Sequence, residues 1–400
     1  MNYIKRISYL ALSFVFCAIA FSCCSFFTKN NPEYYADFVN VIALTEFKDA
    51  KFKEEDFESI ENSLNSSEDI SVKQYFDKIS CGNFTVKSVY AFLESNITID
   101  AFKALNNTQQ VNFAKEILKN RQTIYKDIYK SEKFTGKLDN KKSGFLDSVV
   151  FYIPATVTNT GSDTSSALWP HTMFYTANIG KVNNLNYKEF VVFPYKVQIQ
   201  SGLESITYDN SVGIMCHELL HVLGNELGIN DLYHVDNLTK HPVGIYDIMA
   251  HTDYAAPQQL NIYYKSLLGW ATLTELNSGE IEIAKTDATG IKFGEKNGEF
   301  FIIQYFEESE ICKIPCSEGI LIYRINTNVK DGNMYIEKGN QVFIFRTNNN
   351  PATYDVYNFP AVFESGSVFS GLKYSDGTWA NLEINMSFDE LKFFVEVVKT

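Results

Sequence analysis

The sequence predicts an α+β fold in two parts, a mixed α/β layer over residues 39–275 and an all-β, sandwich-like module over residues 276–400. Three observations carry this. Up to Trp270, β-branched apolar runs alternate with stretches of helical periodicity. Beyond it, short apolar runs are separated by Gly, Asn, Asp and Ser clusters, and helical periodicity fades. Near the junction stands one helical run, Ser211 to Gly224, whose polar groups no apolar core requires.

The chain begins "MNYIKRISYLALSFVFCAIAFSCCSFF", with Lys5 and Arg6 ahead of an apolar run from Ile7 to Phe21 that is too short for a membrane span. Residues 1–22 are therefore expected to be a secretory signal. The run ends in "AFSCC", which resembles the lipobox of bacterial lipoproteins and makes Cys23 the expected lipidated residue, with residues 23–38 as a tether. A membrane is then a partner through that lipid; a cleaved, secreted form and a retained anchor are the alternatives.

"VNVIALTEF" (Val39 to Phe47) reads as a buried strand, "SVKQYFDKIS" as a helix and "NFTVKSVYAFL" as a strand. A long amphipathic helix is expected over "TQQVNFAKEILKNRQTIYKDIYK", residues 108–130. "SVVFYIPA" and "FVVFPYKVQIQ" are further strands, and "EIEIA", "EFFIIQYF", "GILIYRI", "QVFIFR" and "LKFFVEVV" supply the β module.

With 400 residues, 45% of them hydrophobic, the chain can bury a large core. With a net charge of −13 the chain as a whole offers no basic surface for phosphate backbones, which makes nucleic acid a poor candidate partner. Four of the seven cysteines lie beyond residue 24, too few to support a fold of this size. Cys81 and Cys216 are expected as buried thiols, whereas "CKIPC", Cys312 to Cys316, could close a small loop.

At about 100° per residue, His217 and His221 share one face of the 211–224 helix, while Val212, Met215, Leu219, Val222 and Leu223 gather opposite, so the histidines are expected to face away from the core. One turn apart, their imidazoles can converge on one zinc ion, and Glu218 on the flank can reach a water held between them. Neutral imidazoles leave zinc strongly Lewis acidic, and a glutamate beside it can act as general base. With six histidines in the chain, HExxH should arise by chance in fewer than about one in a hundred such sequences.

"HELLH", "LGINDLY" and "YDIM", followed by "APQQLNIYYKSLLGW", resemble the immune inhibitor A family of bacterial metallopeptidases. "SVKQYFDKISCGNFTV" and "LWPH" upstream, and "EFFIIQYFEE" and "GILIYRINT" downstream, extend the similarity over roughly residues 39–330. The resemblance implies a zincin, metzincin-like catalytic domain with a mixed sheet, an active-site helix and a Met-turn. It further implies His217 and His221 as zinc ligands, Glu218 as the general base, Asp231 as third ligand and Met249 as the Met-turn residue. If Gly228 rather than Gly224 makes the turn, Asp231 stands where the third ligand belongs, four residues beyond the metzincin spacing; Glu226 and His234 stay open as alternatives. Asn230 stands where the family has proline and is expected to loosen the turn. Latency by a long propeptide is not expected.

His251 and Tyr254 are candidates to steady an oxyanion, and His171 could line the cleft or make a structural hydrogen bond. "DNKKSGFLD", Asp139 to Asp147, resembles an Asp-rich calcium loop in which Lys141 stands where an oxygen ligand belongs, making calcium a second cofactor to consider. The resulting expectation is a zinc-dependent endopeptidase acting on extracellular or envelope proteins. The alternative is an inactive peptidase-fold lipoprotein serving as a binding or adhesive module.

Overall fold

The computed structural model describes residues 37–119, 123–201, 204–236, 241–309, 318–348, 360–388 and 393–399. The expected signal segment, Cys23, nearly all of the tether, Cys312 and Cys316 lie outside these residues. The fold is mixed α+β with several sheets.

The first sheet is built from β1 (Asp37–Glu46), β2 (Thr85–Glu94), β3 (Ser148–Thr158), β4 (His171–Phe174), β7 (Glu189–Ser201) and β8 (Glu204–Asp209), in the order β2-β1-β3-β7-β4, with β8 also on β7. A small hairpin of β5 (Gly180–Val182) and β6 (Leu185–Tyr187) stands apart. Strands β2, β1, β3 and β7 run parallel, and β4 closes the edge antiparallel to β7. Parallel strands are covered on both faces, so they read as unbroken apolar runs: Val41, Ile42, Ala43 and Leu44 are all buried. Pro154 sits where the β3–β7 register shifts, at a bulge that tolerates the missing N–H.

Helices α1 (Glu54–Asn65) and α2 (Val72–Ile79) carry the chain from β1 to β2, as parallel pairing requires. Ser71 caps α2 by accepting a hydrogen bond from Gln74 N at 3.1 Å. After the short α3 (Ile99–Lys103), α4 spans only Asn107–Ile117, so the long helix expected to residue 130 is corrected. Tyr125 instead exchanges two 2.8 Å backbone hydrogen bonds with Tyr90, and Ile124 and Ile128 are buried. The open edge of β2 satisfies backbone groups that helical periodicity had assigned to a helix.

Helix α5 (Val212–Gly224) follows β8, and α6 (Ile262–Leu267) follows later in the chain. The strands beyond form two sheets. One has the order β14-β13-β12-β11-β9, from β9 (Thr272–Glu275), β11 (Thr289–Lys296), β12 (Glu299–Phe306), β13 (Gly319–Asn326) and β14 (Val342–Ile344). The other has the order β10-β17-β16-β15, from β10 (Gly279–Ile283), β15 (Val368–Phe369), β16 (Leu382–Phe388) and β17 (Phe393–Lys399). The first of these sheets thus takes in β9, on the N-terminal side of residue 276.

Alternation along β12 explains how these layers stack. Phe301 and Ile303 point into a core shared with Ile384, Met386, Val395 and Val397 of the opposing sheet. Phe300 and Ile302 point the other way, into the core that contains α5, α6 and the first sheet. Both faces of β12 are therefore buried, and "EFFIIQYF" carries no polar face. This stacking brings the loop between β13 and β14 against the segment that follows α5.

Candidate metal centre

Helix α5 starts where Ser211 accepts a hydrogen bond from Ile214 N at 3.3 Å while its hydroxyl donates to Tyr254 O at 2.9 Å. Contrary to the expectation of a half-exposed helix, α5 is buried almost all round; only His221 and Leu223 are partly exposed. Gly213 allows this: a Cβ there would lie 1.8 Å from the Asp253 carbonyl oxygen. His217 and Glu218 are buried beneath other layers, and His221 remains partly exposed.

At its C-terminal end α5 passes into a 3-10 turn, Asn225–Leu227, and Gly228 reverses the chain in the left-handed region with φ of 77°. Ile229 N then donates to Gly224 O at 3.0 Å. The Ile229 side chain packs over Gly224, where a Cβ would meet it at 2.3 Å. The extra residues are absorbed by this additional turn, which returns Asp231 to the helix. Asn230 does not loosen the bend, as its exchange for proline had implied. Its Nδ2 donates to Gly228 O at 3.1 Å and to Lys330 O at 2.8 Å, tying the bend from inside and outside.

His217, His221 and Asp231 each bring one ligand atom to a common point, all within 4.8 Å of one another. His217 Nε2 and His221 Nε2 both lie 3.2 Å from Asp231 Oδ1. The other ring nitrogens point outward: His217 Nδ1 donates to Ile248 O at 2.9 Å and His221 Nδ1 to Ile229 O at 3.3 Å. Each imidazole in its neutral form thus carries its proton on Nδ1 and turns the Nε2 lone pair toward the carboxylate. Three donors facing one another in this way can hold a cation between them. Two ligands about 2.0–2.1 Å from a tetrahedral zinc would be about 3.3 Å apart, so the donor types and the two 3.2 Å His–Asp separations fit that ion.

Burial opposes charge on His217, but its hydrogen bond to Asp231 and the nearby Glu218 outweigh it and push the pKa up to about 9. Burial works in the opposite sense on Asp231, where the two imidazoles prevail and hold the carboxyl well below its usual range.

Glu218 is buried beside this group, and the Thr172 hydroxyl of β4 donates to its Oε2 at 2.6 Å. Sequence reading missed Thr172 by one residue, having stopped at His171. Strand alternation was the available signal, since adjacent side chains face opposite ways. His171 turns from the site, with Nδ1 2.5 Å from Trp169 O and Nε2 2.9 Å from Gln110 Oε1, and so makes structural hydrogen bonds. Tyr233 was also missed; its hydroxyl pKa is raised first by burial and then by the charges of Asp231 and Glu218.

The segment that carries Met249 packs against His217, whose Nδ1 meets Ile248 O at 2.9 Å. Met249 is fully buried, and its carbonyl accepts from Leu232 N at 2.8 Å, which joins this turn to the Asp231 segment. Asp247 orients the turn, accepting from Met249 N at 2.6 Å and from Asn261 N at 2.6 Å. Its burial, against those hydrogen bonds, raises its pKa to about 6.

The other candidates do not join the group. Glu226 pairs with Lys188 Nζ at 2.7 Å, which lowers its pKa, and the buried His234 sets Nε2 on Asn340 Oδ1 at 3.1 Å. His251 is exposed, and Tyr254 stacks on Tyr208 with ring centroids 5.0 Å apart. In the expected calcium loop, Asp139 accepts from Ser143 N at 2.9 Å and Gly144 N at 2.7 Å, and Asp147 from Val39 N and Asn140 N at 3.0 Å each. Those acid oxygens close a turn. Cys216 is a buried thiol, and the half-buried Cys81 donates to Asp287 Oδ1 at 3.4 Å.

No protein-family model matches this chain, and no curated protein matches it either.

Proposed function

We propose that the chain is a zinc-dependent endopeptidase with a metzincin-like catalytic part, similar to the immune inhibitor A peptidases, exported and tethered through Cys23. The observation that carries this reading is the convergence of His217 Nε2 and His221 Nε2 on Asp231 Oδ1, with Glu218 held on the same helix. A buried Met-turn and an antiparallel last strand beside the helix support the fold assignment.

Bound by these three side chains, zinc would polarise the scissile carbonyl and lower the pKa of water. Glu218 takes the proton of the attacking water and hands it to the leaving amine, which balances the hydrolysis. Thr172 keeps the Glu218 carboxylate in one orientation through both transfers. The backbone of β4, paired with β7 on one side, offers its other edge to an extended peptide beside the site.

The test is zinc content by elemental analysis together with casein cleavage by the wild type and by Glu218→Gln. One zinc per chain and cleavage that disappears in the variant are expected. A chain without zinc sinks the proposal; a zinc-loaded chain that does not cleave points to the binding module instead.

A further inference from the structure

The residue that supplies the third ligand is held from outside by the distant β13–β14 loop. Asn333 of that loop is fully buried, and its backbone N–H donates to Asp231 O at 2.9 Å. Its side-chain Nδ2 donates to Leu232 O at 3.3 Å and to Val342 O at 2.6 Å, while Oδ1 accepts from Val342 N at 3.1 Å. Asn333 therefore bolts Asp231 and its neighbour to the first residue of β14. Hydrogen bonds from Asn230 Nδ2 to Lys330 O (2.8 Å) and from Val235 N to Met334 O (2.9 Å) flank the joint.

Gly332 makes the approach possible. Its φ is +64°, and a Cβ on it would lie 2.2 Å from the Asp231 carbonyl oxygen. The ligand segment and the loop touch backbone to backbone, with no space between them for a side chain.

We propose that the β13–β14 loop is a positioning element of the metal site, with Asn333 the residue that sets Asp231, so that zinc binding and the order of this loop are coupled. This rests on the metal-site reading above. A carboxylate on a long turn is free to swing. A rigid sheet behind it presents Oδ1 already aimed at the imidazoles, and zinc has less ordering to impose.

The test uses the full chain and compares Gly332→Ala with Gly339→Ala. Both glycines have positive φ, +64° at Gly332 and +81° at Gly339, but the nearest atom to a Cβ on Gly339 is Val329 Cγ2 at 3.9 Å, so the second variant carries the backbone strain without the collision. Zinc affinity by chelator competition and the visible spectrum of the cobalt-substituted protein are the readouts. Gly332→Ala is expected to lose about tenfold or more in zinc affinity, with an altered cobalt spectrum, while Gly339→Ala matches the wild type. Wild-type affinity and spectrum in Gly332→Ala, or equal losses in both variants, would overturn the proposal.

Amide exchange of the wild type, with and without zinc, needs no variant to fold. Slower exchange across residues 327–341 on adding zinc is expected. Protection confined to residues 217–231 overturns the coupling alone; no protection there, and no bound zinc, means the metal-site reading has failed and takes the coupling with it.

Discussion

Thr172 and Glu218, from the edge strand and the central helix, are joined by a 2.6 Å hydrogen bond that holds the carboxylate beside the two imidazoles. Removing the hydroxyl while keeping the shape should free the Glu218 rotamer. Thr172→Val is expected to lower kcat about tenfold to a hundredfold with zinc content unchanged, and Thr172→Ser to restore it. Steady-state peptide cleavage beside elemental analysis checks this; equal kcat in Thr172→Val would separate Thr172 from the chemistry.

Asp231→Asn keeps the shape of the third donor and removes its charge. Its zinc affinity should fall by more than the about 10–100-fold that outer-shell changes cost. Because a ligand that binds only the folded state raises its stability, a chelator should lower the wild-type melting temperature and leave that of Asp231→Asn unmoved. Matching chelator responses in the two proteins would remove Asp231 from the ligand set.

Gly213→Ala tests the close seat of α5. With a Cβ 1.8 Å from the Asp253 carbonyl, either the helix or the segment after Met249 must shift. A loss of about 2 kcal/mol or more is expected from urea midpoints. An unchanged midpoint would mean that the two backbones part without cost.

Asp247 sets a pH dependence. Its folded pKa is raised from 3.8 to about 6, so the folded state holds this proton more tightly than the unfolded chain does. The resulting stability is fully present below pH 3.8 and is lost as pH rises through about 6. In Asp247→Asn that slope should be missing, so the stability difference between wild type and variant should change by up to about 3 kcal/mol across this window. Parallel unfolding profiles would show that Asp247 ionises as freely in the folded chain as in the unfolded one.

The strands at 39–47, 148–155 and 190–200 were legible because buried parallel strands leave continuous apolar runs. The helix expected at 108–130 was misjudged beyond Ile117 because its periodicity could not reveal a free strand edge waiting for Tyr125. Similarly, the burial of α5 was hidden: its polar residues pointed to an exposed face, whereas other layers bury His217 and Glu218.

By itself the sequence determined that His217 and His221 lie one turn apart with Glu218 between them, because helical spacing is a local property of the backbone. Tertiary structure alone decided which of Asp231, Glu226 and His234 meets them. That choice depends on the reversal at Gly228, on Lys188 drawing Glu226 away, and on the β13–β14 loop pressing against Asp231. Such contacts join segments far apart in the chain. They arise from the packing of whole layers, which no local pattern of residues encodes.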